Sequence, residues 1–212
     1  MKSTLRLSNL NLTDDGNAMT RQIAILGWGS LIWDLDDLAA KVSGPWQIRA
    51  GPRLPMEFSR VSAKRLQALA VCLDPEHGVA CPTHAIRSIR TDVESTAEDL
   101  AARERAPISR IGWATADGSG ESRMPEVALK VTAWCAAEGW DAAVWTDLEP
   151  NFTVATGRDF SVAEGLAYLR TLRGESLAEA HRYIRRAPAA TRTPLRRALT
   201  RDQWWRDLRR AG

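Results

Sequence analysis

From residue 161 to the end, nothing in the chain reads as a strand. Two capping boxes, Ser161-Val162-Ala163-Glu164 and Ser176-Leu177-Ala178-Glu179, each pair a hydroxyl with a carboxylate three residues on. That spacing satisfies two orphan amides at a helix start. They predict helices over 162–172 and 177–186, punctuated by Gly174 and followed by Pro188. Pro194 opens a third short helix, and Thr200-Arg201-Asp202-Gln203 caps a fourth. Upstream the pattern is different. Short apolar runs between Gly and Pro breaks predict a strand from Ile23 and strands over 46–50, 54–61, 66–73, 78–86, 108–113, 127–136 and 142–148. The last two are expected to pair as neighbours. Two helices interrupt them, over 34–41 and over 96–105, the second from a Ser95-Thr96-Ala97-Glu98 box. Strands first, then a helical C-terminus, is an α+β arrangement with a mostly antiparallel or mixed sheet.

A chain of 212 residues suits one domain, expected over 21–212 behind a polar leader at 1–20. The leader carries Asn9, Asn11, Asp14, Asp15 and Asn17, so it is not read as a signal peptide. No apolar run approaches the ~20 residues of a membrane span. Three cysteines cannot all pair, which makes a reducing cytoplasm the default expectation. Charge is uneven. From His181 onward ten arginines stand against Asp202 and Asp207, in a chain whose net charge is only +3. Such a tail suits nucleic acid, an acidic partner or the acidic body of the same chain. No aromatic single-strand platform accompanies it, so nucleic acid is not the favoured partner. Trp204-Trp205 is expected to clamp the terminal helix to the body.

The stretch from Ile23 to Trp33 (IAILGWGSLIW) reads as a buried strand, a tight glycine loop, then a helix. Gly27 and Gly29 flank Trp28 and let the backbone approach a ligand closely. Successive amides in such a turn form a concave donor site for a carboxylate or oxyanion. A dinucleotide fingerprint needs a third Gly or Ala at the position of Ile32, so that reading fails. A nucleophile elbow needs glycines where Trp28 and Ile32 flank Ser30, so that fails too. Cys72, His77, Cys81 and His84 lack the tight C-x2-C knuckle of zinc fingers, and no metal site is expected. Along 56–62 the alternation breaks at Arg60, which shares a face with Met56 and Phe58, as a side chain pointing into a site would.

Glu104 is the most informative acid. It follows Ala97, Leu100 and Ala101 on the apolar stripe of its helix and sits in the last turn. A half-buried carboxylate at the negative helix end is a candidate acid/base group, while Arg103, Arg105 or Arg110 could equally hold it in an ion pair.

Trp28-Gly29-Ser30-Leu31-Ile32-Trp33, with Leu100-Ala101-Ala102-Arg103-Glu104 some seventy residues later, resembles the γ-glutamylcyclotransferase-like superfamily. Within it, the glutathione-degrading branch is closest. Arg53-Leu54-Pro55-Met56-Glu57-Phe58-Ser59-Arg60 resembles the second strand region of bacterial members. The resemblance covers about 22–150. It implies a small mixed β-barrel with flanking helices, and release of 5-oxoproline from a γ-glutamyl amine or peptide without cofactor or metal. By the same resemblance Trp28, Gly29, Ser30 and Leu31 bind the substrate and Glu104 is the acid/base. Trp28 stands where the family has tyrosine. The basic helical C-terminus exceeds the expected core and could cover the barrel or make a homo-oligomer contact. A non-catalytic small-molecule binding protein on the same fold is the alternative.

Overall fold

A computed structural model describes residues 21–211; the polar leader expected at 1–20 lies outside the described residues. In chain order the strands are β1 (Ile23–Gly27), β2 (Val42–Gln47), β3 (Arg53–Ser62), β4 (Ala68–Leu73), β5 (Val79–Pro82), β6 (His84–Ser88), β7 (Ile111–Thr115), β8 (Gly120–Glu121) and β9 (Ala142–Thr146). The helices are α1 (Val93–Glu104), α2 (Pro125–Glu138), α3 (Phe152–Thr156), α4 (Val162–Thr171), α5 (Gly174–Arg186), α6 (Pro194–Arg201) and α7 (Gln203–Ala211). The class is α+β, and the larger sheet is mixed, in the order β2-β6-β1-β9-β7-β8. Among the described residues no helix is long and apolar enough to cross a membrane.

β1 sits inside that sheet, antiparallel to β6 and parallel to β9, with all five residues buried. Alternation sends its side chains to two cores. Ala24 and Leu26 join the larger one, with the small sheet and the C-terminal helices. Ile25 joins the smaller one, with Leu100 and Ala101 of α1.

The strands do not close into the barrel that the resemblance implies. Among the described residues the large sheet ends at β2 and β8, and a separate sheet has the order β4-β3-β5. The break lies at Thr83, inside the single strand expected over 78–86. Pro82 brings no N–H to a ladder. The Thr83 N–H and hydroxyl both turn back to the Pro52 carbonyl, at 3.2 and 2.8 Å. The chain thus leaves the small sheet as β5 and enters the large one as β6.

A second correction concerns 127–136, which is helical and forms most of α2. Its β-branched residues suggested a strand, but Val127, Val131 and Cys135 are spaced by four and form one buried stripe. Pro125 presets the first turn, and Gly139, at φ +75°, ends the helix in the left-handed region. The neighbour of β9 on that side is β7, not a strand from this segment.

Helix starts are settled by competition between caps. Ser161 accepts from the Glu164 amide at 3.1 Å, one half of the box; the Glu164 carboxylate pairs with Arg158 at 3.1 Å instead of reaching back. The Ser95 box is pre-empted: Asp92 accepts from the Ser95 amide at 2.7 Å, and α1 begins earlier. We expect Asp92→Ala to lower stability by about 1 kcal/mol, read from the chemical-denaturation midpoint. The Ser176 box is bypassed as well, since α5 starts at Gly174 without a side-chain cap.

The C-terminal helices pack on the strands. α5 lies on β4 and on the loop after β1, and α6 lies on β3. Trp205 is buried, its ring edge-on to His181 at 5.0 Å, so it does fasten α7 to the body. Several tail arginines are spent internally. Arg196 donates to the carbonyls of Pro188 and Thr191, and Arg182 pairs with Glu179 at 2.6 Å.

Candidate active site

The loop after β1 forms one 3-10 turn, Gly29–Ile32, entered through an extended Trp28. Gly29 has φ +54°, which favours glycine. A Cβ there would stand 2.6 Å from the Tyr183 hydroxyl and 2.8 Å from Val71 Cγ1, so no larger residue fits without movement. The Ser30 carbonyl closes the turn by accepting from Trp33 and Asp34 at 3.1 and 3.0 Å. The first amides of such a turn have no acceptor within it, which makes them available donors.

Glu104 ends α1. Arg105 follows at φ +54° and turns the chain away, leaving the Glu104 side chain at the helix end with 15% exposure. Trp28, Ser30, Leu31 and Glu104 line one half-open cavity. Gly29 is not on its wall; it is buried against Tyr183 and Val71. The four sequence-predicted wall residues are therefore brought together from two distant parts of the chain.

Of the arginines that could pair with Glu104, Arg103 does so, at 2.5 Å to Oε1. Arg105 reaches Asp36 and Arg110 reaches Glu149 instead. Arg103 is itself buried and also donates to the Asp34 carbonyl, so it ties the end of α1 to the segment following the glycine loop.

Among the described residues three cations share the cavity wall with one acid: Arg60, Lys64 and Arg65. Arg60 donates to the Glu149 carbonyl at 2.5 Å, and Lys64 to the Arg103 carbonyl at 3.0 Å. Arg65 is largely balanced by Asp34 and Glu179, at 3.3 and 3.5 Å. Among the described residues the hydrogen bonds of Arg60 and Lys64 go to carbonyls; Glu104 attracts Lys64, but three cations against one carboxylate leave the cavity favouring a ligand that bears negative charge. The broken alternation of β3 pointed to Arg60. Lys64, Arg65 and Tyr183 had no such signal: the first two follow a bend after β3, and the third comes from α5.

The Cys/His cluster does not assemble. All three cysteines are free and buried, and among the described residues no group of His, Cys, Asp or Glu is arranged to hold a metal. His84 is buried with Nδ1 accepting from the Arg49 amide at 3.0 Å, and His77 sits in the Asp74 turn.

No family model matches the chain, and no curated protein or solved structure matches it. The cavity's chemistry must therefore be read from its own groups. It offers one carboxylate that can move a proton, a turn with donor amides, and cations for an anionic ligand.

Proposed function

We propose that the protein catalyses γ-glutamyl cyclotransfer on an anionic γ-glutamyl amine or peptide. The observation that carries this reading is that Glu104 lines the same cavity as Trp28, Ser30 and Leu31. The glycine turn holds the γ-glutamyl group, and Arg60 and Lys64 favour its negative charge. Glu104 takes a proton from the α-ammonium, and the freed nitrogen attacks the γ-carbonyl carbon. A tetrahedral intermediate forms, its oxygen stabilised by donors at the Gly29–Ser30 turn, each worth roughly 3 kcal/mol when well aimed. As the original amide C–N bond breaks, Glu104 gives that proton to the leaving nitrogen, then takes the second proton from the positively charged ring nitrogen and passes it to the departing amine, which leaves as an ammonium. The products are 5-oxoproline and a free amine. Holding amine and carbonyl in a five-membered geometry supplies much of the remaining acceleration.

The test is 5-oxoproline release from a panel of γ-glutamyl amino acids, peptides and amines. Turnover supports the reading. A panel that is bound, as shown by raised melting temperature, but never turned over would point to the non-catalytic binding protein.

A further inference from the structure

Tyr183 belongs to α5, in the helical C-terminus beyond the part of the chain that resembles the cyclotransferases. Even so, it lines the cavity that holds Glu104. The side chain is fixed on every side. Trp33 and Phe58 meet its ring edge-on at 5.7 and 6.3 Å, and the Arg65 guanidinium lies 5.7 Å over its face. Only 5% of the residue is exposed. Its hydroxyl lies against Gly29, so close that a Cβ there would come within 2.6 Å of the oxygen.

Burial pushes the phenol up to about 12, with Glu104 adding to the rise and Arg65 opposing it. It is therefore a neutral O–H donor throughout the physiological range. The Val71 amide faces the phenol oxygen as a donor, and among the described residues no hydrogen bond takes the hydroxyl's own proton. A buried, rigid donor with no protein acceptor, at the rim of a ligand cavity, is matched to an acceptor on the ligand.

We infer that the Tyr183 hydroxyl donates to the γ-carbonyl oxygen of the bound substrate, beside the Gly29–Ser30 amides, and stabilises the oxyanion that forms there. The C-terminal helices are then a wall of the site and not an appendage. This inference rests on the cyclotransfer reading.

The experiment is Tyr183→Phe, which removes one oxygen and keeps the ring in its packing. We expect kcat for 5-oxoproline release to fall about 10²-fold while KM stays near the wild-type value, because the bond matters most in the transition state. An unchanged kcat in a folded variant overturns the inference. Should Tyr183→Phe fail to fold, 3-fluorotyrosine incorporated on a Tyr168→Phe background leaves Tyr183 as the sole tyrosine. A more acidic phenol is a stronger donor, so kcat should rise; no change overturns the proposal. If the wild type turns over no γ-glutamyl compound, the cyclotransfer reading fails on its own. Calorimetric binding of 5-oxoproline, which keeps the same carbonyl, then decides the tyrosine's role. Weaker binding by Tyr183→Phe supports the donor, and equal binding, or none by the wild type, overturns it.

Discussion

In Glu104→Gln, kcat for 5-oxoproline release is expected to fall by about 10²–10⁴-fold, the usual worth of a positioned acid/base. The amide keeps the shape of the carboxylate and can still accept from Arg103 through its oxygen. It cannot take a proton from the substrate ammonium. Because the side chain lies at the end of α1, partly open to the cavity, the fold should survive, and thermal melting will show whether it does. KM should change little, since the cations and the glycine turn remain. Among the described residues no other carboxylate lines the cavity, so none of them is placed to take over. Full turnover in this variant would remove Glu104 from the chemistry and with it the cyclotransfer reading.

Glu57→Ala is expected to be the most damaging substitution for stability. Glu57 is fully buried on β3. Its Oε1 accepts from the Phe58 amide at 2.7 Å, and its Oε2 accepts from the Leu195 amide at 3.1 Å. Truncation strands both amides in the core, at roughly 1–3 kcal/mol each, and leaves a cavity besides. A loss of about 4 kcal/mol is expected in chemical denaturation. The difference should also depend on pH. Burial, the largest influence, raises the Glu57 pKa above its ordinary value of 4.5, with Asp74 adding; Thr193 and the two amides oppose it. A raised carboxylate favours the folded state most when protonated. The stability gap between wild type and variant should therefore be widest below pH 4.5 and narrow as pH rises through the folded-state value. A gap that widens with pH would contradict this environment for Glu57.

Local chemistry made part of this molecule legible in its sequence. The run from Ile23 to Trp33 carries its own strand, glycine turn and exit. Ser161 carries its own cap. Glu104 was marked by its place on a helix face. Where two local solutions were both sound, context chose: Asp92 displaced Ser95, and α5 began before Ser176. In α2 the β-branched residues outweighed a spacing of four that becomes decisive only with a sheet to pack against. The open sheets were not foreseeable from strand patterns, because the crossover at Thr83 depends on a bond to Pro52, far away in sequence. Tyr183 was hidden for the same reason. Its ring follows the apolar stripe of α5, and only the docking of that helix on the glycine turn brings its hydroxyl to the cavity.

The bond from Leu195 to Glu57 spans 138 residues of sequence. A chain made from its N-terminus must therefore carry β3 through most of synthesis with one oxygen of that carboxylate unmatched and the face beneath α6 uncovered. The small sheet cannot be sealed when its own strands are complete. The face of β3 beneath α6 is therefore covered only once Thr193 and Leu195 have been added, so apolar surface of the small sheet stays open in the nascent chain until its last stretch is made.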